Sequence, residues 1–485
     1  MSSMKKTLGL PSLIALGVAG VVGSSWIYTS STFFADVGAG GMILGLLVGA
    51  ALAACVALAY GELTSVIPRA GGEVVWSTAA LGYRAGFATG WFHIGAYIAS
   101  LSFYVTAFGT LLSKYLPVFE SMPLYSVNGE AVTLPVLAVG IALALIVFAL
   151  NWFGVGLGAQ LQVALFVIML LIGAALAVTA VFAGSPSNLW PAWSAGQAPL
   201  ASTARMVVPG ITYVVGFSLV AVLAEESSLS PRRVGRAVVL TVGIAALFYT
   251  TVLLATATVI PWEEVAQMDL GTIDAFTAAG FPLLGFGAFL IAVLGLVTSF
   301  IGLFVASSRV VLALARARML PGSLAEVHAG SGVPRNALLF VLVVTIVLGL
   351  LGPGAIIWFL DAGGVFLGIV WLLVVAAKYR LPKRFPNAQY TYRARPAFLP
   401  AIGAVGAALV ILFALIPGTG LTLQWPAEHI ILVGWALLGA LIYTLTDRPQ
   451  GADRDEALDE LLGAEASAAL RGRNETARSG GSSRH

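Results

Sequence analysis

Residues 17–30 read GVAGVVGSSWIYTS, an apolar run in which Gly17, Gly20 and Gly23 recur and Gly23, Ser24 and Ser25 stand side by side. A second apolar run, PGITYVVGFSLVAVLAEE at 209–226, is interrupted by Pro209, Gly210 and Gly216. Where such a helix unwinds, the half that follows begins with free N–H groups and a positive dipole end, which favour a carboxylate. The half that precedes ends in free carbonyls, which accept from an ammonium. Paired ends of this kind recognise the zwitterionic head of an α-amino acid through backbone alone. A plainer reading of one glycine-rich helix is close packing through small residues, which is common in membrane bundles. The second interruption shifts the balance towards a binding site.

The elements that must carry these breaks follow from composition. Only 10% of the 485 residues are charged, 59% are apolar and the mean hydropathy is +0.96, whereas soluble domains carry about 25% charged residues. The chain therefore reads as an all-α polytopic membrane protein. Apolar runs near or above the roughly 20 residues needed to cross a bilayer recur about twelve times before residue 446. Basic residues test the topology independently, because they concentrate in short cytoplasmic loops. With Lys5 and Lys6 inside, twelve crossings put Arg69, Arg84, Arg232, Arg233 and Arg236 on the same side. Arg316, Arg318, Arg335, Lys378, Arg380, Lys383, Arg384, Arg393 and Arg395 join them, while the opposite loops hold only Lys114 and Arg205 among several acids. Both termini are thus expected in the cytoplasm and the chain in the cell membrane. The basic residues are separate loop anchors rather than one stripe, so the pI of about 9.0 implies the lipid bilayer as partner and no nucleic acid.

The first run follows two lysines as a signal peptide would, but no A-x-A site follows and it continues to Phe34, so it reads as the first span. The single cysteine, Cys55, excludes a disulfide framework and a cysteine metal cluster. His93, His328, His429 and His485 are scattered, and neither H-E-x-x-H, G-x-S-x-G nor G-x-x-x-x-G-K-[ST] occurs. This argues against an enzyme or a nucleotide-driven pump, and no repeated filter loop suggests a channel. If the core is two five-helix repeats of opposite topology, the interrupted first and sixth spans are equivalent. Breaks at matching positions of two halves point to a transporter's central site. The expected segments are 1–9 (cytoplasmic N-terminus), 10–200 (first inverted repeat, spans 1–5), 201–380 (second, spans 6–10), 381–446 (spans 11 and 12) and 447–485. The last reads as a disordered cytoplasmic tail with one short helix at 454–470.

Four stretches carry a family resemblance. VVGSSWI at 21–27, ALAYGELTSVIPRAGGEVVW at 57–76, VLAEESSLSPRRVGRAV at 222–238 and ASSRVVLALARARMLPGSLAEVHAGSGVPRNAL at 306–338 stand in order at the expected span ends. Together they resemble the signatures of the amino acid–polyamine–organocation permease superfamily over residues 8–446. The resemblance implies the leucine-transporter-like inverted-repeat fold plus two extra helices, and secondary transport of amino acids, with amines or other organocations as the alternative; the small residues at the breaks, walled by Trp26, Trp91, Tyr213 and Phe217, favour a small or medium neutral amino acid. It also implies substrate contact by Gly20, Gly23, Ser24 and Ser25 in the first span and by Gly216, Phe217 and Ser218 in the sixth. Ser25 stands where the family usually has Gly, and Ser218 where it often has an acid or another polar residue.

Other residues join the candidate site on their own chemistry. His93, mid-span in GWFHIGAY, is either a site or proton-relay group or a hydrogen-bonded packing residue. Tyr97 one turn on, with Trp91 and Trp26, could form aromatic walls, and Tyr213 an aromatic gate. Asp361 in IIWFLDAGGVF would hold a cationic group or face an outer vestibule. No cofactor is expected, only a coupling ion, proton or sodium. Proton-coupled relatives carry a Lys in the fifth span; aligning 154–170 on that pattern puts Met169 near it, and this span has no Lys or Arg. Thr298 and Ser299 offer adjacent hydroxyls that would suit sodium, unless they bond their own helix carbonyls. Oligomeric state is left open.

Overall fold

The computed structural model describes residues 6–418, 422–446 and 453–471. Lys5, His485 and the tail at 447–452 and 472–485 lie outside them. Helix α1 (Leu10–Val21) stops in mid-bundle, and α2 (Ser25–Thr64) resumes after three non-helical residues. At Gly38, where φ is +73°, α2 bends into two legs, because the chain at Trp193 and Ser194 passes where a side chain would stand. The short α3 (Gly72–Leu81) leads into α4 (Tyr83–Ser113), followed by α5 (Leu134–Trp152) and α6 (Val155–Ala183). The sixth apolar run divides into α7 (Pro199–Tyr213) and α8 (Ser218–Val222). Then come α9 (Pro231–Val259), two short helices α10 (Trp262–Val265) and α11 (Gly271–Ala278), and α12 (Pro282–Arg316). The series closes with α13 (Arg335–Gly349), α14 (Ile356–Arg384), α15 (Leu399–Leu415), α16 (Ala427–Leu445) and α17 (Asp453–Arg471). Pro199, Pro231 and Pro282 each open their helix, where the missing N–H costs nothing.

Among the described residues nine helical stretches are long and apolar enough to cross a membrane, accompanied by three shorter apolar helices, α1, α13 and α15. A polytopic membrane protein results. Among the described residues there is one hairpin, β1 (Pro123–Val127) with β2 (Glu130–Thr133), which turns at Asn128 and Gly129, both at positive φ, as an Asn-Gly pair favours. Helices α4 and α12 are buried almost all round, whereas α16 exposes most of its apolar surface, as a lipid-facing helix does. Helix α2 packs on α7 and α9, and α4 on α14, α12 and α3, so the two interrupted stretches meet along the centre.

At the basic end the carboxylates following α8 are locked. Arg309 Nε donates to Glu226 Oε1 at 2.8 Å and its Nη2 to Oε2 at 3.2 Å; Arg316 Nη1 donates to Glu225 Oε2 at 3.1 Å, and Arg69 lies 3.5 Å from Glu225. The N-terminal segment joins in, with Thr7 and Leu8 N–H groups donating to Glu226 O. The short helix expected at 454–470 is found as α17 over 453–471, kinked at Gly463. Leu458, Leu461 and Leu462 form a buried apolar stripe, Arg69 Nε donates to Leu461 O at 3.4 Å and Arg318 pairs with Glu460 at 3.3 Å. Helical spacing of those leucines gives the segment a face to bury, which its overall polarity conceals.

Candidate functional site

The two interruptions touch. A Cβ on Gly216 would sit 2.1 Å from Gly20 O, so only glycine permits the approach, and its φ of +111° demands glycine as well. Beside this crossing lies a cavity of about 100 Å³ lined by Gly20, Val21, Gly23, Val215 and Gly216 of the two breaks and by residues of α4, α7, α12 and α14. Its remaining walls are Tyr97, Phe103, Tyr104, Tyr213, Phe359 and Leu360, with Ser100 and Thr212 as small polar groups. No charged side chain lines it. The first N–H groups of α2 have no carbonyl within the helix, and the Ncap residue Ser24 is buried with its Oγ unpartnered.

Tyr249 of α9 spans the gap between α1 and α2. Its hydroxyl donates to Val21 O at 2.8 Å and accepts from Gly23 N–H at 3.2 Å, satisfying backbone groups that the break frees. Nothing in the local pattern ALFYTT marked it; an aromatic hydroxyl deep in an apolar run was the only signal. Tyr104 was missed in the same way, though its hydroxyl would lie 3.3 Å from a Cβ on Gly23.

The sequence-derived candidates separate into groups. Gly20, Gly23, Tyr97, Tyr213 and Gly216 line the cavity. Ser218 is one bond away, its Oγ 2.9 Å from Tyr97 Oη. Ser25 opens α2, but its side chain lies outside the described ones. Trp26 is fully buried and donates from Nε1 to Gly23 O at 2.9 Å, acting on the break from behind rather than as a wall. Phe217 packs edge-on to Tyr60 and tilted against Trp371, away from the cavity. Trp91 stacks on Trp435 of α16 at 4.6 Å and donates to its carbonyl, so it joins an outer helix to the bundle. His93 is fully buried one layer behind Tyr97, ring centroids 4.1 Å apart.

Asp361 lies in a second cavity, of about 160 Å³, with Thr29, Phe33 and Pro209. Thr212, Tyr213, Leu360 and Gly364 line both cavities, and the Tyr213 hydroxyl is hydrogen-bonded to Thr29 Oγ1. Of the hydroxyl pair in α12, Thr298 bonds its own helix at Gly295 O, 3.1 Å, whereas Ser299 donates to Ala19 O of α1 at 2.5 Å. The residue of α6 that reaches α12 here is Gln162, which donates from Nε2 to Thr298 O at 2.7 Å. The position opposite the α1–α12 seam is thus held by Gln162, seven residues before Met169.

A bundle of spanning-length helices with two broken stretches crossing at a buried cavity is the architecture of a membrane transporter. The chain belongs to the amino acid permease family of the amino acid–polyamine–organocation superfamily, whose model matches residues 8–441. It is similar to the branched-chain amino acid permease BcaP of Lactococcus lactis, with 24% identity covering 89% of this chain and 92% of the relative. The Bacillus subtilis protein of the same name is 26% identical, covering 92% and 94%. A methylthioribose transporter of Bacillus subtilis is 22% identical over the same shares. The chain is a permease and not an enzyme.

Proposed function

We propose that the protein is a secondary transporter of small or medium neutral amino acids, working by alternating access at the cavity between the two helix breaks. The observation that carries this reading is a cavity with backbone at one side, aromatic and aliphatic walls at the other, and no charged side chain. The substrate carboxylate is read by the first N–H groups of α2 and its ammonium by carbonyls near Gly20 and Val215, while Phe103, Phe359 and Leu360 take the side chain. Relatives that carry branched-chain amino acids agree with apolar walls. Twelve crossings in two inverted repeats, 10–200 and 201–380, with helices of 381–446 outside them and the basic end in the cytoplasm, complete the reading. Tyr213 serves as the gate between the cavity and the Asp361 vestibule.

The test is a competition panel against labelled leucine in proteoliposomes. Neutral amino acids of leucine size are expected to compete, and dibasic amino acids and polyamines to compete at least tenfold less well; preferential competition by polyamines would install the organocation alternative. Asp361→Asn distinguishes the two directly. Because Asp361 lines the second cavity and not the one at the helix breaks, uptake of neutral substrate by this variant should stay within about threefold of wild type, about 0.7 kcal/mol. Loss of neutral uptake would place the carboxylate in the binding site.

Coupling to a proton rather than sodium is part of the proposal. Ser299 and Thr298 hydroxyls donate to carbonyls, and Gln162 donates to Thr298 O, so the α1–α12 seam is already bonded internally. Replacing sodium by choline on both sides should leave uptake unchanged. Sodium-dependent uptake abolished by Ser299→Ala would reverse this assignment.

A further inference from the structure

Behind the cavity wall, on the side of Tyr97 away from the substrate space, α3 and α4 enclose a second polar cluster that the binding site does not use. Glu73, in the first turn of α3, is fully buried and neither carboxylate oxygen has a hydrogen-bond partner. His93 of α4 is equally buried, and neither ring nitrogen has one. The two face each other, with Glu73 Oε1 3.7 Å from His93 Nδ1. Tyr60 Oη faces the Glu73 carboxyl without a bond of hydrogen-bond geometry, and Trp371 Nε1 is a further buried donor without a partner; both rings touch Phe217.

We propose that Glu73 and His93 form the proton site through which transport is coupled to a proton gradient. The inference rests on the proposed transport function and deepens it. A buried carboxylate alone, or a buried imidazolium alone, is unfavourable in such surroundings because nothing there replaces its lost hydration. Together with one shared proton the pair is neutral, whether the proton sits on Glu73 or on His93 Nδ1. Losing that proton leaves one net negative charge, and gaining a second leaves one net positive charge. Proton exchange is therefore confined to states in which water reaches the pair, and each visit transfers one proton between solvent and the pair with no other reactant.

The surroundings support this assignment. Of the elements packed on α3, α4 adds Tyr97; α12 adds Arg309 and Arg316, which are bonded to Glu226 and Glu225; and α14 adds Lys378, 3.9 Å from Glu62. Helix α8 carries no ionisable side chain, and on α17 Glu460 pairs with Arg318 while Arg454 lies over Tyr83. Tyr60 comes from α2. His93 is thus the basic group in ion-pair reach of Glu73 among the described residues. The link to the substrate is short: the His93 ring lies against Tyr97, and Tyr97 Oη meets Ser218 Oγ at the first residue after the sixth-span break. A change in the charge of the pair is felt two side chains away by the backbone that holds the substrate.

The experiment uses the full chain in proteoliposomes, with labelled leucine as probe and a trapped pH dye. Two quantities are read: leucine counterflow without a pH gradient, and leucine accumulation with lumen acidification after an acid step outside. Wild type should show both. Glu73→Gln and His93→Gln should keep counterflow within about threefold while gradient-driven accumulation and acidification fall at least tenfold, about 1.4 kcal/mol. A merely structural role would lower both readouts together. Accumulation surviving in Glu73→Gln overturns the proton site, as does counterflow lost together with accumulation in both variants, or wild-type accumulation indifferent to the pH step. Wild type without counterflow of leucine or any competing amino acid would instead overturn the transport function, and the proton site with it.

Discussion

Gly216→Ala is expected to reduce leucine binding by about 100-fold or more, equivalent to ~2.7 kcal/mol. The added methyl meets Gly20 O at 2.1 Å, and the residue must hold φ at +111°, where an L side chain is strained by about 1–3 kcal/mol. Both effects push α1 away from the α7–α8 break, and the backbone carbonyls and N–H groups that read the substrate lose their mutual geometry. Gly23→Ala is the companion variant. Its methyl would meet only Tyr104 Oη, at 3.3 Å, and Ser299 Oγ, at 3.6 Å, so the protein should fold normally and bind several-fold more weakly. Binding followed by scintillation proximity, with size-exclusion profiles to establish folding, checks both. A monodisperse Gly216→Ala protein with wild-type affinity would show that the crossing of the two breaks is not where substrate binds.

Glu226→Gln should cost about 3–5 kcal/mol of stability, because it leaves the Arg309 guanidinium buried without its counter-charge. Arg309 is wholly buried, and Glu226 answers it with both oxygens while Ser308 Oγ accepts from Nη1 at 2.8 Å. Replacing both partners together, as in Glu226→Leu with Arg309→Met, should recover much of the loss, since a matched apolar pair carries no desolvation cost. Thermal unfolding of the two variants and wild type in detergent gives the comparison. A single variant that melts with wild type would mean that water reaches the pair. The neighbouring Glu225 is held differently, by Arg316 and by the partly exposed Arg69, so the same substitution there should be milder.

How much of this was legible beforehand depended on whether the signal was local. The breaks at 22–24 and 214–217 announced themselves because glycine and serine inside an apolar run have a local consequence, the loss of helical bonding. The Asn-Gly turn of the hairpin was equally local but was overlooked among stronger signals, whereas the helix at 454–470 was legible from its own stretch. Tyr249 was not legible: it bonds Gly23 across 226 residues of sequence, and no periodicity encodes that distance. Glu73 was not singled out, since an acid in a helix's first turn is where the dipole welcomes one. Only the packing of α3 on α4 turned it towards His93.

The sequence by itself determined the membrane setting, the helical class, the family and the two places where backbone is bared, because transfer to a bilayer and helix propensity act on each residue through its near neighbours. The tertiary structure decided which candidates share a cavity. It set Trp91 against α16, placed Asp361 in a cavity other than the one at the helix breaks, and brought Gln162 of α6 to Thr298 O of α12. Each of those outcomes depends on the rotation and depth of one helix relative to another. Those are fixed by side chains interlocking over the whole bundle, which no single stretch of chain contains.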